Sequence, residues 1–256
     1  HLDPISVREW CDQRGAKPDA ALTHVIQRGG FPEPALATSD DEARRWRRQY
    51  ATDLIREDVL EFSRLKEINT MRVFVELLRE RVGSPLSLAS IARDLAVSPT
   101  TLRRYLEILQ ALVVVIVVQP WHRNIARALL QAPKVYFTDT GMVNGDHGVR
   151  FENAVAVMLS KQAHVTGDTS GRDAGLHYIR TKDGAEVDFC LSVDGALTQL
   201  VECKLADTTP RRALTRFAQQ FEEAEAVQLV RDARHVERHG PIAIEPAANW
   251  LARLDA

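Results

Sequence analysis

Two short runs decide what most of this chain can become. Glu186-Val187-Asp188-Phe189 is followed, one tight turn later, by Val201-Glu202-Cys203-Lys204. Successive side chains of a strand point to opposite faces. Glu202 and Lys204 therefore share one side, and Val201, Cys203 and Leu205 share the other. The same alternation sets Val187, Phe189 and Leu191 on one face and Asp188 on the opposite one. Val193-Asp194-Gly195 between the runs reads as a hairpin turn. Antiparallel pairing then gathers Asp188, Glu202 and Lys204 at one end of a sheet.

Those residue types at that spacing suit metal-dependent phosphodiester chemistry. Mg²⁺ takes hard oxygen ligands and keeps several waters. Asp188 and Glu202 supply two carboxylates, and the backbone carbonyl of Cys203 a third protein oxygen. A metal so held generates hydroxide near neutral pH and neutralises phosphate charge. Lys204 is placed to orient the attacking water or to stabilise the charge that builds in the transition state. The plain alternative is a cross-strand salt bridge on a wet sheet face. Apolar Leu200, Val201 and Leu205 around Glu202 suit a buried strand with charges at its end better than a solvated edge. Upstream, Phe151, Ala154, Val155, Met158 and Leu159 form one helical stripe. Glu152 borders that stripe, where an acid can reach the edge of a sheet.

From helix to strands and back, this order resembles the PD-(D/E)xK nuclease superfamily. The expected core is a helix at 150–161, strands near 176–180, 185–192 and 198–205, a helix at 210–224 and a strand at 226–231. The resemblance implies that Glu152, Asp188 and Glu202 bind Mg²⁺ or Mn²⁺ and that Lys204 is catalytic with Asp188 and Glu202. The leading Pro-Asp is absent, since Val187 precedes Asp188. A glutamine in the following helix sometimes assists in that superfamily, which points to Gln219 or Gln220.

A second resemblance covers almost the whole chain from about residue 25. Gly29-Gly30-Phe31-Pro32-Glu33, Asp53-Leu54-Ile55-Arg56-Glu57-Asp58, Val135-Tyr136-Phe137-Thr138-Asp139-Thr140-Gly141 and Phe151-Glu152-Asn153 precede the acidic strand in this order. The series is similar to predicted bacterial and archaeal AAA-type ATPases whose C-terminal half carries the DUF4143 domain. In that family an ATPase module precedes the Gly-Gly-Phe-Pro-Glu segment. No Gly-x-x-x-x-Gly-Lys-Ser/Thr loop occurs here, so no ATP site is expected in these residues. The first residue is His rather than Met, which reads as a processed or truncated chain. The expected organisation is the tail of an ATPase module at 1–24, a helical bridge at 25–67, a winged helix at 68–140 and a nuclease-like α/β domain at 141–256. The fold class is thus α+β, with a restriction-endonuclease-like α/β domain last.

Within the bridge, Trp46, Tyr50, Leu54, Ile55 and Val59 follow helical spacing. Arg44, Arg45, Arg47 and Arg48 surround Trp46; they read as a solvated face pairing with Asp40, Asp41 and Glu42, or as a phosphate-contacting patch. In the winged helix, the first helix runs over 69–81 with Val73, Leu77 and Leu78 inward, and Ser87 caps the second. Ser98-Pro99 starts the third, whose buried stripe is Leu102, Tyr105, Leu106 and Leu109. Residues 111–119 and 134–138 read as the strands that follow. A recognition helix uses its N-terminal side chains in the major groove, which nominates Thr101, Arg103 and Arg104 for DNA contact. Asp139-Thr140-Gly141 reads as a turn.

Composition limits the partners. Among 256 residues, 27% are charged and 45% apolar, with a formal net charge of −2, so any contact with nucleic acid, DNA before RNA, comes from local patches. Cys11, Cys190 and Cys203 have no metal-ligand spacing and suit a reducing cytoplasm. The longest apolar run, 111–118, is too short to cross a bilayer, so no membrane partner is expected. The expected function is Mg²⁺-dependent cleavage of nucleic acid, in cis with an ATPase module. The alternatives are a non-catalytic nucleic-acid-binding or regulatory module on a degenerate nuclease fold, and a homo-oligomer assembled through the winged helix.

Overall fold

A computed structural model describes residues 3–60, 65–122 and 132–255, with the side chains of 51–60, 65 and 66 left undescribed. Leu54, Ile55, Val59 and the whole 53–58 motif therefore lie outside the described side chains. Helices α1 (Val7–Arg14), α2 (Pro18–Arg28), α3 (Pro32–Leu36) and α4 (Asp40–Leu60) open the chain. They are followed by α5 (Leu65–Arg79), α6 (Leu88–Asp94) and α7 (Pro99–Ala111). Strands β1 (Val115–Pro120) and β2 (Lys134–Phe137) pair antiparallel. Next come α8 (His147–Ser170), β3 (Ala174–Arg180), β4 (Glu186–Val193), β5 (Ala196–Lys204), α9 (Arg212–Gln220) and β6 (Glu225–Val230). Strands β7 (Glu237–His239) and β8 (Ile242–Pro246) and helix α10 (Ala247–Leu251) end the described chain.

One mixed sheet of eight strands runs in the order β2-β1-β3-β4-β5-β6-β8-β7. It is continuous across residue 140, because β1 pairs parallel with β3 through Gln119 with His177 and Pro120 with Tyr178. The α8 stripe packs on one face: Phe151, Val155, Met158 and Leu159 join Phe189, Leu191, Val201, Cys203, Val227 and Leu229. Helix α9 covers the other face, where Leu214 and Phe217 meet Val187, Cys190, Leu200, Ala226 and Val230. Burying such side chains stabilises by roughly 2 kcal/mol each.

Local chemistry explains the element ends. The Ser98 hydroxyl accepts the Thr101 N–H at 3.0 Å and Pro99 opens α7, so both groups satisfy orphan helix donors. Ser87 caps α6 in the same way at Ser90. Asp194 and Gly195 sit at φ 51° and 78°, the left-handed pair that a two-residue hairpin needs between β4 and β5.

Two expectations about faces are corrected. Val73 is 48% exposed rather than inward; Met71, Phe74, Val75 and Leu78 are the buried residues of α5. Val187, Phe189 and Leu191 do not share one face. His177 pairs with Cys190 but Ile179 pairs with Val187, so β4 carries one extra residue at the Asp188–Phe189 step. That bulge sends Val187 to the α9 side and Phe189 to the α8 side.

Candidate active site

The acidic residues meet where β4 and β5 splay. The Asp188 Oδ2 atom accepts the backbone N–H of Cys203 at 2.8 Å, bridging the two strands. In β5, Leu200 packs on the α9 side and Val201 and Cys203 on the α8 side, so alternation puts Glu202 and Lys204 on the α9 side. Glu152 approaches from α8, on the other side. The four polar residues are therefore not arrayed on one face; Asp188 stands between Glu152 and Glu202 at the strand ends.

Their fields show the closeness. Burial first, and then the Asp188 charge, push the Glu152 carboxyl up to about 7. Glu202 is pushed up to about 7 by the same two causes in the same order. Burial also raises Asp188, against the pull of Lys134, the Cys203 N–H and Lys204. The buried Cys203 thiol is raised by burial and by all three acids, Asp188, Glu152 and Glu202.

Each acid has its own partners. The Tyr136 hydroxyl donates to Glu152 Oε1 at 2.7 Å. Lys204 Nζ donates to Glu202 Oε1 at 2.6 Å and to the Cys203 carbonyl at 3.0 Å. Arg211 lies 3.5 Å from the same Glu202 oxygen. Glu202 Oε2 is buried without a hydrogen-bond partner. An orphaned carboxylate oxygen beside two further buried acids, Asp188 and Glu152, is a donor set that fits a divalent cation. Among the described residues, no three His, Cys, Asp or Glu side chains are already gathered as a metal cage.

Sequence reasoning missed Lys134, Glu186, Arg180, Arg211 and Gln228 as participants. Lys134 on β2 is 1% exposed, with Nζ 2.6 Å from Glu186 Oε1 and 3.8 Å from Glu152 Oε1. Burial alone would lower its pKa, yet Glu152, Asp188 and Glu186 raise it. Glu186 also meets Arg180 at 3.2 Å. Gln228 pairs in register with Glu202; its Oε1 accepts the Arg211 N–H at 3.0 Å, and its Nε2 donates to the Asp207 and Thr209 carbonyls. It fixes the loop that carries Arg211 toward Glu202. A lysine and a glutamine inside strands were the available signals, because both are rarely buried without a partner. Gln219 and Gln220 stand instead beside Gly195 and Ala196, at the far end of β5 from Glu202.

The α7 residues form a separate surface. Arg103 and Arg104 are exposed and, among the described residues, make no hydrogen bond or ion pair. The Thr101 hydroxyl lies 2.8 Å from that of Ser98. No described helix is long and apolar enough to cross a membrane.

The upstream motifs close on each other as well. Asp139 is 1% exposed; its Oδ1 accepts the Gly141 N–H, the turn expected there, and its Oδ2 accepts Arg47 Nε at 2.6 Å. Arg47 also donates to the Arg28 carbonyl. Arg47 is thus tied inward, whereas Arg44 pairs with Asp41 on the solvated face as expected.

The uncharacterized proteins Rv2008c of Mycobacterium tuberculosis and Mb2031c of Mycobacterium bovis are each 31% identical to this chain over 182 residues. The match covers 69% of the chain and 41% of either relative, so the chain spans about two fifths of the length of the curated relatives it matches. No solved structure matches. Residues 19–150 match DUF8612 and residues 147–246 match DUF4143, both described as domains of unknown function, and the two matches meet at the start of α8. The chain belongs to the DUF8612 family and carries a DUF4143 domain over α8 and the strands that hold Glu152, Asp188, Glu202 and Lys204.

Proposed function

We propose that this chain is a Mg²⁺-dependent phosphodiesterase acting on nucleic acid, with α8, β3, β4, β5, α9 and β6 as a PD-(D/E)xK core. The observation that carries the reading is Asp188 fixed by the Cys203 N–H between Glu152 and Glu202, with Lys204 alongside. Glu152, Asp188, Glu202 and the Cys203 carbonyl would hold the metal. When bound, Mg²⁺ supplies charge neutralisation at the phosphate and acidifies coordinated water. Lys204 orients the attacking water and stabilises negative charge on the phosphate. Arg211 neutralises the outer side of Glu202, and Gln228 keeps Arg211 there.

The order α5, the isolated bridge from Pro85 to Lys134, α6, α7, β1 and β2 supports a winged-helix reading. Thr101, Arg103 and Arg104 are its candidate DNA contacts. An ATPase module in cis and a cytoplasmic setting belong to the same proposal. The test is metal-dependent cleavage of DNA and RNA substrates by wild type, Asp188→Asn and Lys204→Ala. Activity lost in both variants supports the reading. Equal inactivity of all three proteins across the panel removes it.

One observation favours the non-catalytic alternative. The Lys134 ammonium is already paired with Glu186 and lies 3.8 Å from Glu152, and Lys204 is engaged by Glu202. Calorimetry showing no Mg²⁺ or Mn²⁺ binding would select that alternative, a nucleic-acid-binding or regulatory module.

A further inference from the structure

A second polar feature lies on the other side of α8. Arg150 and Glu152 are two residues apart, so they point about 200° from each other around the helix. Glu152 faces the acidic cluster. Arg150 faces a cavity of about 960 Å³ between α2, α4, α5 and the turn at Thr140–Met142. That volume lies within the range of ligand sites.

Among the described residues, seven arginines line it. Four meet carboxylates: Arg28 with Asp40, Arg44 with Asp41, Arg47 with Asp139 and Arg79 with Glu76. Arg72 and Arg150, which meet no carboxylate among the described residues, leave an excess of positive charge in a wall that also contains Arg48. Asp41 and Glu76 are 72% and 60% exposed, so their pairs are weak and a stronger anion can displace them. The inner arginines are held rigidly. Arg79 Nε donates to the Met142 carbonyl at 2.6 Å and its Nη2 to Asn144 at 3.0 Å. Arg150 Nη2 donates to the Val143 carbonyl at 3.2 Å, while its Nε is buried at the wall with no partner. Arg72 makes no described hydrogen bond or ion pair. Fixed guanidinium forks with an unsatisfied donor are suited to phosphate oxygens.

We propose that this cavity binds the phosphates of a nucleic-acid strand without reading its bases. Among the described residues no aromatic ring lines it, so the chemistry on offer is charge and hydrogen bonding to the backbone rather than stacking. The choice of a strand over another phosphate ligand rests on the phosphodiesterase reading. The cavity gives such a strand an anchor on α8, the helix that also carries Glu152.

The test is fluorescence anisotropy of the full chain with a labelled oligothymidylate of ~12 nucleotides, in EDTA so that no cleavage occurs. The variants are Arg72→Glu and Arg44→Glu/Arg72→Glu, both at exposed positions, with circular dichroism to verify folding. Arg238→Glu on exposed β7 is the charge-matched control. Wild type is expected to bind with tripolyphosphate competing. Arg72→Glu should weaken binding roughly tenfold or more and reduce the salt slope by about 0.7 for each lost contact, with the control unchanged. No binding by wild type overturns the proposal, as does an affinity equal in the control and both cavity variants. Loss confined to Arg103→Ala/Arg104→Ala also overturns it and assigns binding to α7. Binding intact with cleavage absent sinks only the hydrolytic reading, and cleavage intact with no binding dependence on Arg72 sinks only this one.

Discussion

Asp188 on β4 accepts the backbone N–H of Cys203 on β5 at 2.8 Å, and this one bond sets its carboxylate between Glu152 and Glu202. The bond lies at the β4 bulge, where the alternation of side chains along the strand is broken. The crowding that results makes stability, metal binding and charge in this cluster one problem.

Glu152 and Glu202 are held at about 7, against an ordinary 4.5. A carboxyl raised in this way keeps its proton more tightly when folded. Its contribution to stability is complete below pH 4.5 and is lost as pH rises to about 7. Glu202→Gln should therefore stabilise the metal-free protein above neutrality, by roughly 1–3 kcal/mol, and flatten the pH slope. Urea melts in acid and in mild alkali measure this. A variant less stable than wild type in alkali would contradict the raised carboxyl.

Mn²⁺ binding should release protons, because the cation binds carboxylates and these two are partly protonated near neutrality. Calorimetry in two buffers of different ionisation heat should show release at about pH 6.5 and little at about pH 8.5. Binding heats independent of buffer at both pH values would mean that the cation sits elsewhere.

Lys134→Met should destabilise by about 3–5 kcal/mol, since it abandons Glu186 and Glu152 in a buried site. The loss shrinks in acid, where the abandoned carboxylates take up protons. A cost under about 1 kcal/mol at neutral pH would show that solvent already reaches the pair.

Arg47→Ala leaves Asp139 charged and buried, and should cost about 3–5 kcal/mol. Adding Asp139→Asn should recover part of that. Gly29→Ala should cost at least as much as Arg47→Ala: its Cβ would lie 1.6 Å from Asp139 Oδ1, at a φ of +68° that favours glycine. Thermal melts of Arg47→Ala, Asp139→Asn, the double variant and Gly29→Ala check all of this, and additive losses for Arg47→Ala and Asp139→Asn would deny the coupling.

Most of the scaffold was legible because it is locally determined. Period-3.6 stripes located α7 and α8, and Leu102, Tyr105, Leu106 and Leu109 are all buried. Turn chemistry located the β4–β5 hairpin at Asp194-Gly195. Strands β7 and β8 were not foreseen. Ile242–Pro246 is too short a run to stand out, and its place is decided by parallel pairing with β6.

By itself the sequence determined most of the elements, the hairpin and the candidates Glu152, Asp188, Glu202 and Lys204, since periodicity and turn residues act over a few positions. Tertiary structure alone decided that a bulge breaks the β4 alternation at Asp188, that Lys134 neutralises Glu186 across about fifty residues, and that arginines from α2, α4, α5 and α8 share one cavity. Such contacts depend on chain closure and desolvation, which no local pattern encodes.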